Sequence, residues 1–244
     1  AEKDLHSLEE RRERLQPVVL VISAGSALDL SWADAHVAAI IDSFYPGARG
    51  GKAVAEAIFG DFSPSGKLPV TFYQGTENLP EFTDYDMSDR TYRYTDKNVL
   101  YPFGYGLHYG TIRYENAQIS CAQCGVRDAV DVSVDVINES SYTIHESVQA
   151  YIQHEEADAY EPGYQLKGIQ MVTLQPKETK RVTISLKARD FAIITQEGEC
   201  VVRPGSYRIA IGGQQPDARS AKLTGSDVAA LVVRREGEQT PVEY

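Results

Sequence analysis

Two groups of acidic side chains are the residues of this sequence that are best suited to chemistry. One group lies in the segment TDYDMSD and the other in the segment HEEADAYEPG; their members are Asp84, Asp86, Asp89, Glu155, Glu156 and Asp158. Pairs of carboxylates carry out glycoside hydrolysis. Both segments are polar and loop-like, however, and charge in such segments usually serves solvation. The residues alone therefore favour neither group as a catalytic site.

Other chemical motifs are incomplete. Cys121-x-x-Cys124 has the spacing of half a zinc site, but a structural site needs four ligands and Cys200 supplies no second pair. The segment GARGGKAV lacks the first glycine and the Ser/Thr of a phosphate loop, since Pro46 and Ala53 stand at those positions. No histidine lies in a motif that marks a catalytic base. We therefore expect no metal, no nucleotide and no cofactor.

Composition excludes two classes of partner. The net charge of −11 disfavours nucleic acid, because phosphate binding needs a basic surface. No apolar run approaches the roughly 18 residues of a membrane-spanning helix, so we expect no membrane insertion. The three cysteines and the acidic first residues leave localisation open between the bacterial cytoplasm and the periplasm or secretion.

The first half of the chain has the pattern of α/β layers. The predicted elements are an amphipathic helix over 1–16, strands over 17–23 and 67–73, and helices over 33–44 and 52–59. The continuous apolar run PVVLVIS predicts a strand that is buried on both faces. Ser31 and Asp34 have the spacing of a capping box before the first of the two later helices. Val54, Ala57 and Ile58 share one face of the second.

After about residue 112, apolar and polar residues alternate as in half-buried strands. The alternating segments are AVDVSVDVIN, SVQAYIQ, RVTISLK and SYRIAIG, and the inward-facing residues of the first are Val130, Val132, Val134 and Val136. Turn segments such as QPKET and RPGS separate them. This pattern predicts an antiparallel β-sandwich of about a hundred residues. The apolar run VAALVV after Gly225 is not placed by these patterns.

Several segments, in order, resemble the C-terminal half of glycoside hydrolase family 3. They are PVVLVISAGSALDLSW, YPGARGGKAVAEAIFGDFSPSGKLPVTFY, LPEFTDYDM, RTYRYTDKNVLYPFGYGLHYG, YQLKGIQMVTLQPKETKRVTISL and VVRPGSYRIAIGG. The pair GDFSPSGKLPVTF and LYPFGYGL is the most specific part. The segment around RTYRY most resembles bacterial β-xylosidases and β-glucosidases.

The resemblance implies a partial α/β sandwich followed by a fibronectin type III-like β-sandwich. It places the α/β part at 1–112, a linker at 113–125, the β-sandwich at 126–225 and a tail at 226–244. The segment YPFGYGLHYG, residues 101–110, would join the two parts. We expect its aromatic rings to fill their interface and its glycines to permit close backbone turns there.

The activity implied by the resemblance is that of a retaining, exo-acting β-xylosidase or β-glucosidase. Such enzymes use an aspartate nucleophile and a glutamate acid/base with carboxyls about 5 Å apart. The family carries the nucleophile on a (β/α)-barrel that this sequence lacks, and the residues before Pro17 depart from the family pattern near the acid/base. We therefore assign no catalytic residue and expect the isolated chain to be inactive.

The resemblance also implies partners. We expect a second chain, or a missing N-terminal segment, that carries the barrel, and a substrate that is a β-linked oligosaccharide or an aryl glycoside. Asp84, Asp86, Arg90 and Arg93 are candidates for the rim of the sugar pocket. The competing interpretation is that the two arginines pair with nearby carboxylates to hold the loop.

Two alternatives stay open at this point. A non-catalytic scaffold that binds carbohydrate or protein would use exposed aromatic residues of the β loops, for which Tyr160 and Tyr164 are candidates. A hydrolase with its own site in loop 84–89 would be active as an isolated chain.

Overall fold

Two parts of different structure follow each other along the chain. The computed structural model describes residues 17–77, 79–95 and 97–243. A small α/β part is followed by a larger β-sandwich, which agrees with the fold class expected from the sequence. The predicted amphipathic helix over 1–16 lies outside the described residues.

The described residues of the α/β part form two small sheets and three helices. Strand β1 pairs in parallel with β2, and β3 pairs antiparallel with β4. In chain order the elements are β1 (Val19–Ile22), α1 (Ser31–His36), β2 (Ala39–Asp42), α2 (Gly50–Phe59), β3 (Phe72–Tyr73), α3 (Thr91–Tyr94) and β4 (Val99–Tyr101). A small core around Ile22, Leu30 and Phe72 holds these elements together.

The helix predicted over 33–44 is wrong. Helix α1 ends at His36, Val37 is extended, and Ala39–Asp42 form β2 instead. The backbone groups of β2 bond to β1, a partner that is distant in sequence, and this pairing overrides the local helical pattern. The predicted capping box is also wrong, because the N–H of Ser31 donates to Asp29 Oδ1 at 2.9 Å.

The other predictions for this part are confirmed only in part. Helix α2 is present, and Ala57 is buried on it, but Ile58 is exposed. The strand predicted over 67–73 is reduced to Phe72–Tyr73. Strand β1 is not buried on both faces, because Val19 and Val21 are exposed. Two strands alone offer no second layer to cover those side chains.

The β-sandwich packs a three-stranded sheet against a five-stranded sheet. The strand orders are β10-β7-β5 and β6-β14-β13-β8-β9, and the pairs are antiparallel except for β14 with β6. The strands are β5 (Ile112–Ile119), β6 (Gln123–Gly125), β7 (Val130–Asn138), β8 (Ile144–His154), β9 (Gln165–Leu174), β10 (Thr179–Leu186), β13 (Gly205–Gly212) and β14 (Ala229–Glu236). A 3-10 helix (Ala188–Phe191) and the short strands β11 (Ile193–Ile194), β12 (Cys200–Val202) and β15 (Thr240–Pro241) complete this part.

The alternating pattern predicted the core of the sandwich correctly. The four inward-facing valines of β7 are fully buried, as are Leu186 of β10 and Ile209 and Ile211 of β13. Burial of such side chains contributes about 1.5–3 kcal/mol each. The strict alternation in the sequence therefore shows that every second side chain of these strands faces a common core.

The structure also places two segments that the sequence did not assign to the sandwich. Residues 113–125, expected as a linker, contribute most of β5 and all of β6. The run VAALVV belongs to β14, which lies between β13 and β6. Helix α4 (Ala218–Thr224) precedes it, begins at the capping side chain of Asp217 and ends at Gly225 in the left-handed conformation. Each segment gains its order from strand partners distant in sequence.

The segment 101–110 lies between the two parts, as expected. Phe103 stacks on Tyr92 with ring centroids 4.0 Å apart, and Tyr92 meets the ring of Tyr151 edge-on at 6.3 Å. Gln149 of β8 donates to the carbonyl of Gly104 at 3.0 Å. Strand β8 is consequently buried on both faces, one against the sandwich core and the other against this segment.

A buried cluster of polar side chains completes the junction. Its members are Lys67, His108, Tyr114 and Glu146, called here the boundary cluster. Glu146 is only 1% exposed; its Oε1 lies 3.3 Å from Lys67 Nζ and accepts from the Tyr114 hydroxyl at 3.0 Å. His108 Nε2 lies 3.5 Å from Glu146 Oε2. The cluster thus joins the α/β part to β5 and β8 electrostatically.

Burial sets the protonation of two members of the cluster. Burial lowers the pKa of His108, against an opposing effect of the Glu146 charge, so that its imidazole is neutral near pH 7. Burial and then the Glu146 carboxylate raise the pKa of Tyr114 well above its usual value. The tyrosine therefore stays a hydrogen-bond donor to the carboxylate.

Gly106 provides a test of the close packing at this junction. A Cβ at Gly106 would lie 2.0 Å from the carbonyl oxygen of Gly66, a backbone atom that side-chain motion cannot move aside. We expect Gly106→Ala to lower the free energy of unfolding by about 1–3 kcal/mol, as overpacking does. Denaturant titration measures this change. Gly51→Ala in α2 is the matched control, because a Cβ there meets nothing within 4 Å. An equal loss in both variants would contradict the argument.

His108 predicts a dependence of stability on pH. Its pKa is lowered from the ordinary value of 6.5, so below pH 6.5 the unfolded chain binds a proton that the folded chain resists. The contribution is complete above pH 6.5 and is lost as the pH falls through the lowered pKa. We expect denaturant titrations between pH 7 and 5 to show a decline that is smaller in His108→Gln. Parallel curves for the two proteins would refute this role.

Candidate functional site

The loop that contains the candidate rim residues is built around Arg90. Its guanidinium donates to the carbonyl oxygens of Glu81 at 2.9 Å, Asp84 at 2.7 Å and Asp86 at 3.1 Å. Residues 81–90 are called here the rim loop. Because one planar cation binds three carbonyls, the loop has a defined shape although nearly all of it is exposed.

Asp84 and Asp86 shape the same loop through their side chains. Asp84 Oδ1 accepts from the N–H of Asp86 at 2.9 Å, and Asp86 Oδ1 accepts from the N–H of Ser88 at 2.7 Å. The hydrogen bonds from Ser88 lower the pKa of Asp86. A carboxylate with a lowered pKa is a poor general acid, so Asp86 is unsuited to that role.

Arg93 connects the region to the β-sandwich. It lies on α3, and its guanidinium Nη2 donates to Gln165 Oε1 of β9 at 2.8 Å. The carbonyl of Arg93 accepts from the N–H of Gly163 at 2.7 Å, and the hydroxyl of Tyr92 accepts from the N–H of Leu166. The structure thus separates the four candidates: Arg93 holds α3 on β9, while Asp84, Asp86 and Arg90 form one loop.

Among the described residues, neither arginine forms the ion pair with a carboxylate that the competing interpretation expected. Arg90 binds backbone carbonyls and Arg93 binds a side-chain amide. A planar guanidinium meets several carbonyls at once, and the tight turns of the rim loop point its carbonyls inward. The two arginines nevertheless hold the loop and its neighbouring helix, as that interpretation required.

Sequence reasoning missed the exposed rings of the rim loop. Phe82 is 92% exposed and Tyr85 is 89% exposed, and they flank Asp84 along the chain. Aromatic faces beside carboxylates suit sugars, because a ring face covers C–H groups while oxygens accept from hydroxyls. The presence of two aromatic residues in a polar segment was a possible signal in the sequence. The sequence alone, however, does not show that their rings are exposed to solvent.

The second acidic group is occupied by structural contacts. Arg208 pairs with Glu155 at 3.0 Å, and the N–H of Ser206 donates to Glu156 at 2.7 Å. Arg203 pairs with Asp158 at 2.6 Å. These carboxylates thus serve contacts within the sandwich.

The aromatic residues proposed for a binding scaffold are also engaged. Tyr160 is half-buried; its hydroxyl donates to Asp158 and accepts from Arg203 at 2.7 Å. Tyr164 is half-buried as well. Neither residue therefore presents the exposed ring that the scaffold alternative requires.

The three cysteines are free thiols, and burial together with a hydrogen bond to Cys121 raises the pKa of Cys124 to about 11. Within 17–77, 79–95 and 97–243, no three His, Cys, Asp or Glu side chains lie together in a way that could hold a metal ion. None of the described helices is long and apolar enough to cross a membrane.

Comparison with known families matches both parts of the chain. Residues 2–109 match the glycosyl hydrolase family 3 C-terminal domain, and residues 146–215 match the fibronectin type III-like domain. Together the two models cover most of the chain, in the order in which the structure places the α/β part and the sandwich.

Relatives of known name agree with these matches. The chain is 33% identical to a β-xylosidase of Formosa agariphila, over 86% of this chain and 30% of that protein. It is 35% identical to a xylan 1,4-β-xylosidase of Xylanibacter ruminicola, over 85% of this chain and 24% of that protein. The chain thus spans about a quarter to a third of the relatives it matches.

A solved structure gives the same result. A β-glucosidase of Erythrobacter marinus superimposes with a TM-score of 0.74 at 33% identity, and the match covers 89% of this chain and 28% of that one. The domain order, the relatives and the fold agree: this chain carries a glycosyl hydrolase family 3 C-terminal domain followed by a fibronectin type III-like domain.

Proposed function

We propose that this chain acts as the C-terminal part of a retaining, exo-acting β-glycosidase of the β-xylosidase or β-glucosidase type. The observation that carries the proposal is the match of both domains, in order, to relatives named β-xylosidase and β-glucosidase. The catalytic nucleophile and the acid/base lie outside this chain, on the remaining two thirds or more of the enzyme.

The open side of the α/β part supports a partner that carries those catalytic residues. Strands β1 and β2 form a sheet of only two strands, and Val19 and Val21 point out of it uncovered. Tyr45 and Phe59 add exposed rings on the same part of the chain. Uncovered edges and apolar groups of this kind mark an interface. The partner is a second chain or an N-terminal segment with the (β/α)-barrel.

The rim loop is proposed to border the sugar pocket of the assembled enzyme. Asp84 and Asp86 each use Oδ1 within the loop, which leaves Oδ2 for hydroxyls of a β-linked oligosaccharide or an aryl glycoside. Arg90 and Arg93 act as positioning residues that hold the loop and α3. The exposed rings of Phe82 and Tyr85 provide faces for sugar C–H groups or an aryl aglycone.

Hydrolysis of p-nitrophenyl β-xyloside and β-glucoside tests the proposed function directly. We expect no activity from the isolated chain and hydrolysis of at least one substrate when it is joined to the barrel-bearing part. The barrel-bearing part alone is the control. Activity of the isolated chain would contradict the proposal. If Asp84→Asn and Asp86→Asn left that activity unchanged, the rim loop would have no role in it.

Arg90→Gln in the assembled enzyme tests the rim loop. The variant removes a cation that holds three carbonyls, so the loop loses its fixed shape and contributes less to substrate binding. We expect KM to rise about tenfold, which corresponds to about 1.4 kcal/mol, with kcat nearly unchanged.

The matched control is Arg127→Gln, which removes an exposed arginine from the sandwich. It should leave both constants as they are. A fall in kcat without a change in KM for Arg90→Gln would remove the rim loop from the substrate site.

A further inference from the structure

A cavity of about 180 Å³ opens at the junction of the two parts, beside the boundary cluster. Segment 105–108 forms one wall, the ends of β5 and β8 form another, and the turn between α4 and β14 closes the third. Its polar lining includes His108, Glu146 and Asp227, and its apolar lining includes Leu107 and Val228. All of its lining residues belong to the described part of this chain.

Two buried acceptors in this cavity lack hydrogen-bond partners among the described residues. They are Glu146 Oε2 and His108 Nδ1. Glu146 Oε1 has its own partners, Lys67 and Tyr114, whereas Oε2 lies 3.5 Å from His108 Nε2. A buried polar atom without a partner is destabilising, so native proteins satisfy such atoms with a bound molecule or an ordered water.

The charges in the cavity select the kind of molecule. Lys67 already compensates the charge of Glu146, so no second full cation is needed. The Glu146 and Asp227 carboxylates repel anions. Glu146 Oε2 and His108 Nδ1 can accept hydrogen bonds, so the bound molecule must offer donors. Leu107 and Val228 require that the same molecule also has an apolar surface. Hydroxyl groups on a compact carbon frame meet both demands.

Size points the same way. The volume is below the 300–1,000 Å³ or so of pockets for drug-sized ligands, and it equals about six water molecules at ~30 Å³ each. We propose that this cavity binds a neutral polyhydroxylated molecule of monosaccharide size, with one hydroxyl donating to Glu146 Oε2 and a neighbouring one to His108 Nδ1. The proposal rests on the lining of this cavity and not on the proposed glycosidase activity.

Ligand-observed saturation-transfer NMR on the 244-residue chain tests the site, with D-xylose and D-glucose as probes. We expect a signal for at least one sugar. Leu107→Trp, which narrows the mouth of the cavity without touching the boundary cluster, should abolish it. Ile169→Trp is the matched control, because Leu107 is 61% exposed and Ile169 is 57% exposed but lies on β9 away from the cavity.

Glu146→Gln provides a second measurement. It keeps the shape of the side chain but exchanges a charged acceptor, and we expect sugar binding about tenfold weaker. Thermal melts confirm that each variant is folded. A signal that persists in Leu107→Trp, or the absence of any signal in the unaltered chain, would overturn the proposal and leave ordered water as the occupant.

Discussion

The buried carboxylate of Glu146 constrains the whole junction. Removing an ionised group from water costs several kcal/mol unless partners compensate it, and breaking a buried pair is more costly than never forming it. Lys67 comes from the α/β part and Tyr114 from β5. A shift of either part would therefore expose the Glu146 carboxylate to water or separate it from its partners. The aromatic segment 101–110 can pack tightly between the two parts because the cluster fixes their separation.

The two sides of the α/β part differ in how completely they are packed. On the side of the sandwich, Phe103 stacks on Tyr92, whose ring meets Tyr151 of β8 edge-on. The side-chain amide of Gln149 on β8 also donates to the carbonyl of Gly104. On the other side, Val19 and Val21 of β1 remain exposed. The α/β part is thus packed rigidly on the sandwich and exposes an apolar surface on its other side. This arrangement suits a unit that contacts a larger partner through the exposed surface.

The same rigidity reaches the rim loop. Arg93 ties α3 to β9, and the neighbouring Arg90 organises the carbonyls of the loop. The loop is therefore positioned by the sandwich, although it belongs to the α/β part. If the rim loop borders the sugar pocket as proposed, the fibronectin type III-like domain would affect substrate binding through the position of this loop.

Local periodicity determined the sandwich core, since the valines of β7 show their inward face in the sequence itself. The family resemblance came from specific segments such as GDFSPSGKLPVTF and LYPFGYGL. The sequence also indicated that Arg90 and Arg93 hold the loop, but it did not show which groups they bind. Tertiary structure decided the rest. Residues 39–42 became a strand because β1 offered backbone groups, and Glu146 became buried because Lys67 reached it from another layer. Such pairings join residues distant along the chain, and their energy appears only after folding brings them together.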